Sequence, residues 1–409
     1  MKKIWLSVAL ASSSLLLTAC NDDHDDTSVV VIDDGIPKHS IVNPLVLTPK
    51  AYVASDMSAT AAESVIMTYK MLGVNGNEVQ ATSLLFTPKT APPITGWPIV
   101  VWAHGTTGVA DDCAPSQAAL DTDVKKMIDQ LLVAGYVVVA PDYEGLGIRD
   151  EVHPYLNLKS AAFSITDAVV AARSYLGNRV AKQWVTVGHS QGGHAALGAG
   201  EFHTRAQLDY RGTIAVAPAS HLKEIFQLGV ASVADKSALE QLSTYVGLNT
   251  YAALISAGMK STLSESLYKQ IFEPEAARIA ESAEVACASY IVDRYAMEMY
   301  VSATNLDTLT GYLQQSNFIN LPVIDEFLTK TSQPLTVQQN KPIIMYQGRG
   351  DTTVPISATN LLYYKATQIG NTISYRTDEA EVTPWDHHTV FTNNIEYIVN
   401  DVKTLMPIQ

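Results

Sequence analysis

Positive charge is scarce in this chain. Lys and Arg number 27 against 41 Asp and Glu, a formal net charge of −14 over 409 residues. Phosphate backbones are gripped by clustered Lys and Arg, so this balance disfavours nucleic acid as a partner. It equally disfavours tight electrostatic binding to anionic lipid heads. Charge of either sign is sparse, at 17%, while 47% of residues are hydrophobic. A chain so composed can bury a substantial core and is not a disordered sequence. No repeat of 20–50 residues is visible, which sets solenoids and propellers aside. The length fits one large domain, or a core with an accessory lobe.

Long apolar runs are also missing. Ile4 to Leu17 is mostly apolar, but a spanning helix needs about 20 such residues. It follows the basic Met1-Lys2-Lys3 and closes on Leu17-Thr18-Ala19-Cys20, the order of a secretory signal. L-T-A-C resembles the bacterial lipoprotein box, in which cleavage precedes a Cys that then carries lipid. Residues 1–20 are therefore expected to be a lipoprotein signal peptide. The chain would then be an exported lipoprotein of the cell envelope, held at a membrane by lipid on Cys20. Residues 21–35 begin polar and acidic and read as a flexible tether. His24 lies among its aspartates and reads as solvated, so no metal site is expected.

Cysteine is rare: Cys20, Cys113 and Cys287 are all there is. With Cys20 lipidated, an even pair remains for an oxidising compartment. A Cys113–Cys287 disulfide is expected, the alternative being two free buried thiols.

What is present has a clear rhythm. Residues 63–70 and 78–87 are β-rich around a Gly73-Val-Asn-Gly-Asn77 turn and read as a hairpin. Apolar runs at 97–103, 136–140, 183–187 and 212–217 then alternate with helical spacing at 121–134, 160–176 and 191–205. Such alternation predicts a mostly parallel sheet with helices on both faces. From His221 the strands stop for about 110 residues rich in Ala, Leu, Ser and Glu. The strand pattern returns at 341–347 and 372–377, with helices at 357–369 and 389–406. The expectation is an α/β core over 36–220 and 336–409, interrupted by a helical cap, or lid, over 221–335.

The strongest chemical signal lies between the strand at 183–187 and the helix that follows. Gly188-His189-Ser190-Gln191-Gly192 is a G-x-S-x-G motif in a strand–turn–helix setting. A sharp turn there forces the serine into a strained backbone, and Gly188 and Gly192 let that backbone close. Ser190 is the candidate nucleophile; the alternative is a glycine-rich packing turn. A serine hydroxyl needs a base, and the base an acid to orient it. Asp351 follows the strand ending at Gln347 and is the candidate acid, ahead of Asp378, Glu379 and Glu381. The base is expected in Trp385-Asp386-His387-His388. His387 is preferred, with His388 as the alternative. The oxyanion donors would be the backbone N–H groups of Gln191 and Thr106, with Thr107 as the near alternative.

With these residues in hand, the sequence resembles the secretory-lipase family of capped α/β-hydrolases. The resemblance rests on His104-Gly-Thr-Thr-Gly-Val-Ala-Asp-Asp-Cys113-Ala-Pro-Ser, Val139-Ala-Pro-Asp142-Tyr143-Glu-Gly-Leu-Gly147, Gly188-His-Ser-Gln-Gly-Gly-His194, Gly350-Asp351 and the terminal His. It implies an α/β-hydrolase fold, hydrolysis of small-molecule or lipid esters, no cofactor, a lid of inserted helices, and a disulfide from Cys113 into that lid. The paired His387-His388 departs from the family's single-His ending and leaves the base open between the two. The rivals are a peptidase or acyltransferase on the same scaffold, and a catalytically silent, lipid-anchored binding protein.

Overall fold

The computed structural model describes residues 34–408 except 150, 264 and 265. The expected signal segment with Cys20, and the tether up to residue 33, lie outside the described residues. Among these residues no helix is long and apolar enough to cross a membrane. Residues Ile36–Gln409 form one compact unit.

A nine-stranded sheet organises that unit. Its strands are β1 (Lys50–Ala51), β2 (Ala61–Leu72), β3 (Glu78–Pro88), β4 (Trp97–Ala103), β5 (Val137–Pro141), β6 (Val180–His189), β7 (Asp209–Val216), β8 (Ile343–Gln347) and β9 (Ile373–Thr377). Their order is β1-β2-β3-β5-β4-β6-β7-β8-β9. The β1–β2, β2–β3 and β3–β5 pairs are antiparallel, and every pair from β5 to β9 is parallel. The expected hairpin is β2–β3, and the later apolar runs are the parallel strands. Every residue of β4, β5 and β8 is buried, as a sheet covered on both faces requires.

Alternation along β4 divides the core. Val100 and Trp102 face one cluster, with Ile128 and Leu132 of α1 (Thr122–Val133). Ile99, Val101 and Ala103 face the other, with α2 (Leu158–Leu176) and α3 (Gln191–Phe202). The α1 helix begins where expected because the Asp121 carboxylate accepts from the N–H groups of Asp123 and Val124.

The chain between β7 and β8 is helical, with no strand among its described residues. It holds α4 (Leu222–Val233), α5 (Ala238–Met259), α6 (Tyr268–Ile271), α7 (Pro274–Ala280), α8 (Ala288–Leu306) and α9 (Pro322–Glu326). These helices share their own hydrophobic cluster, which also takes in Tyr155 and Ala219 from the sheet side. A capping box, Ser237 with Glu240, starts α5.

After β8 come α10 (Ile356–Gln368), α11 (Thr389–Thr392) and α12 (Ile395–Leu405). The last two replace the single closing helix expected over 389–406. The Asn394 side chain donates to the Val390 carbonyl at 2.9 Å. It takes the acceptor that its own backbone N–H would use in a continuous helix, and the helix breaks there.

Candidate active site

Ser190 sits between β6 and α3 with φ 59° and ψ −119°, a conformation that is costly for a residue with a Cβ. Close packing enforces it. A Cβ on Gly188 would overlap the Gly192 carbonyl, and one on Gly192 would overlap the carbonyl of Ala103. The turn is tied down by Ser190 N–H to Val216 O at 2.9 Å and His194 N–H to Ser190 O at 3.0 Å. The hydroxyl is thereby carried at the carboxyl edge of the parallel strands.

His387 Nε2 lies 2.9 Å from Ser190 Oγ, and His387 Nδ1 lies 2.7 Å from Asp351 Oδ2. A carboxylate only accepts, so Nδ1 carries the proton and Nε2 receives the serine hydroxyl. Asp351 is itself held. Its Oδ1 accepts from the N–H groups of Thr353 and Val354 at 2.9 and 2.8 Å, and Gln347 Nε2 donates to its Oδ2 at 3.1 Å. His388 points elsewhere: its side chain is 67% exposed against 21% for His387, and its Nε2 lies 3.8 Å from Asp123 Oδ2.

Asp378, a competitor for the acid, has a different place. Its buried carboxylate accepts from Arg349 N–H at 2.9 Å and from Trp385 N–H at 2.6 Å. It clasps the loop bearing Asp351 to the loop bearing His387. Glu379 and Glu381 are exposed.

The loop after β4 lies alongside. Gln191 opens α3, so its N–H has no acceptor within the helix. Thr106 Oγ1 bonds the Tyr155 hydroxyl at 2.8 Å, and His104 stacks on Tyr143 with ring centroids 4.3 Å apart. Cys113 and Cys287 form a disulfide. Beside it, Gly108 pairs with Cys287 and Ala288 N–H donates to Thr107 O at 2.9 Å. The start of α8 is thus stitched to the loop that carries Thr106.

Two buried histidines support the site without facing Ser190. His153 accepts from the Gln191 side-chain amide at 3.0 Å while donating from Nδ1 to Glu144 O at 2.8 Å. His194 bonds Ser332 O at 2.8 Å. Burial pushes these imidazoles down to about 3 and about 4, keeping both neutral. A cleft of about 630 Å³ lies over Ser190, lined by Trp102, Thr106, Tyr251, His387 and Phe391 among others.

The fold brings the candidates Ser190, Asp351, His387, Thr106 and Gln191 to one edge of the sheet. Tyr155, Tyr251, His153 and the clasp at Asp378 are not legible in the sequence. Tyr155 and His153 lie in a loop without periodicity, and Tyr251 lies within α5 of the inserted helices. No local signal marks them.

A parallel sheet of this order, with a positive-φ serine at the β6–α3 turn, defines an α/β-hydrolase. Residues 115–398 match the secretory lipase family, and the chain belongs to that family. Among solved structures, the chain resembles a ligand-bound form of the rice cell wall degrading esterase LipA from Xanthomonas oryzae. The two share 20% identity over 88% of this chain and 97% of that one, with a TM-score of 0.64. It also resembles Candida antarctica lipase A in its closed state, at 16% identity over 86% of this chain and 78% of that one, with a TM-score of 0.61. At such identities the likeness concerns the fold. A sequence search of curated proteins returns no match.

Proposed function

We propose that this chain hydrolyses carboxylic esters by two-step acyl transfer through Ser190, His387 and Asp351. The observation that carries the proposal is the unbroken line of hydrogen bonds from Asp351 through His387 to the Ser190 hydroxyl. His387 Nε2 takes the hydroxyl proton as Ser190 Oγ attacks the ester carbonyl. Asp351 holds the imidazole in the tautomer that can accept and offsets its positive form. The N–H groups of Gln191 and Thr106 receive the oxyanion, each worth about 3–4 kcal/mol in comparable sites. His387 then returns the proton to the departing alcohol. Water, deprotonated by the same imidazole, releases the acid and restores Ser190.

Membership of the secretory lipase family and the esterase and lipase among the similar structures support this chemistry over peptide cleavage. Residues 221–335 act as a cap, since Tyr251, Ala288 and Ser289 supply part of the cleft wall. The signal-like start and Leu17-Thr-Ala-Cys20 support export and lipid anchoring at Cys20. Cys20→Ala should then release the protein from the membrane fraction.

The deciding experiment is Ser190→Ala assayed on p-nitrophenyl butyrate, with fluorophosphonate labelling of the wild type. The expected result is labelling at Ser190 and a folded variant without activity. Full activity in that variant removes the proposal. An unlabelled, inactive wild type favours a silent binding protein.

A further inference from the structure

Two cavities of very different size meet at Ser190. One is the wide cleft of about 630 Å³. The other is a slot of about 40 Å³ on the side of the inserted helices, with Gln191, Ala219, Leu222, Phe226 and Val354 in its lining. Ser190 and Tyr251 line both cavities. Tyr251, from the middle of α5, is therefore the wall between them. Burial, and then the nearby Asp351 carboxylate, push its phenol above the usual tyrosine range, and the Thr353 side chain hydrogen-bonds it. The ring is held as a neutral partition.

The chemistry assigns the two halves of an ester to the two cavities. The departing alcohol takes its proton from His387 Nε2, so the alcohol oxygen must lie against that imidazole. His387 lines the cleft and not the slot. The alcohol thus extends into the cleft, and the remaining space beside Ser190 falls to the acyl chain. Resting on the ester-hydrolase reading above, we propose that the slot is the acyl pocket and that Tyr251 is the residue restricting it to short acyl groups. The slot is small beside the cleft, about 40 Å³ against about 630 Å³. Short acyl chains fit it best. The slot is mainly apolar, so uncharged aliphatic acyl groups suit it, while the larger cleft admits bulky alcohols.

The test compares kcat/KM on p-nitrophenyl acetate, butyrate and octanoate. In the wild type the value should fall about tenfold or more from butyrate to octanoate, the scale on which a filled apolar pocket discriminates. Tyr251→Ala should raise the octanoate-to-acetate ratio by about tenfold, because the chain can then bend into the cleft. Tyr251→Phe, which keeps the ring, should retain the wild-type ratio. Ala219→Val, which narrows the slot from another side, should lower butyrate relative to acetate. Wild-type values that stay level or rise towards octanoate overturn the proposal, as does a folded Tyr251→Ala with an unchanged ratio. An enzyme that labels at Ser190 and hydrolyses acetate, yet shows a flat profile, overturns the acyl-pocket assignment alone. A protein that neither labels nor hydrolyses any of the three overturns the ester-hydrolase reading, and this inference with it.

Discussion

His189 Nε2 lies 2.7 Å from the backbone carbonyl of His387, and the two imidazoles sit 4.8 Å apart. A carbonyl only accepts, so His189 donates from Nε2. Burial, and then the neighbouring His387, hold its pKa down to about 3, and it stays neutral. The residue before Ser190 thereby anchors the backbone of the histidine facing Ser190. His189→Phe keeps the contact with Phe391 and removes the anchor. We expect kcat to fall about tenfold to a hundredfold, the usual cost of a small misplacement, with the melting temperature little changed. Wild-type kcat in that variant would refute the anchoring role.

Asp351→Asn leaves an amide facing His387 Nδ1 and favours the tautomer that cannot accept from Ser190. A fall in kcat of about 10⁴ is expected, as for the equivalent change in chymotrypsin-type enzymes. His387→Ala should lose a comparable amount. His388→Ala should retain most activity, because its side chain points to solvent and Asp123. If His388→Ala proved the more damaging of the two histidine variants, the assignment of the base would be wrong.

Asp378→Ala removes the acceptor for Arg349 N–H and Trp385 N–H. Both bonds are part-buried, so the cost of each donor losing its partner stays below the roughly 1–3 kcal/mol of a fully buried one. The variant should melt lower and lose kcat together, since the loops it clasps carry Asp351 and His387. Loss of stability with unchanged kcat would mean that the clasp does not position the site.

The Cys113–Cys287 disulfide spans 174 residues and should contribute about 2–5 kcal/mol. It also fixes the start of α8 to the loop bearing Thr106. Cys287→Ser should therefore lower thermal stability and reduce kcat, and the same losses should follow reduction of the wild type. Reduction without effect on the melting curve would count against this account.

Buried neutral histidines set the response to acid. His153 and His189 are held down at about 3 and His194 at about 4, whereas an unfolded chain titrates them near 6.5. Below that value the unfolded chain binds protons that the fold refuses. Stability is lost as pH falls from about 6.5 towards 4, by at most about 1.4 kcal/mol per pH unit for each histidine. Burial pushes Glu201 up to about 7 and Asp142 up to about 6. These two favour the fold at low pH and lose that contribution as pH rises through their range. Burial also lowers His39, His104 and His221 and raises Glu144 and Asp167. Six histidines outweigh four carboxyls, so the melting temperature should drop between pH 6.5 and 4. A level or rising melting temperature over that interval would contradict this balance.

Much of this molecule is written in residues that are neighbours along the chain. The two-residue period of β4, the Asp121 cap of α1 and the glycines flanking Ser190 act within a few positions, so the strands, the helices and the serine turn can be read locally. The chain order of serine, acid and histidine is legible for the same reason, because each follows a recognisable strand. Other features depend on which segments dock across long separations. Adjacent His387 and His388 are chemically equal until the backbone after Trp385 sends one imidazole to Ser190 and the other to solvent. Asp378 and Asp351 are both carboxylates just past strands, and only the packing of two loops makes one the partner of His387 and the other a clasp. The slot beside Ser190 exists because α5 lies across the sheet edge, and a cavity is a property of surfaces brought together, which no local periodicity encodes.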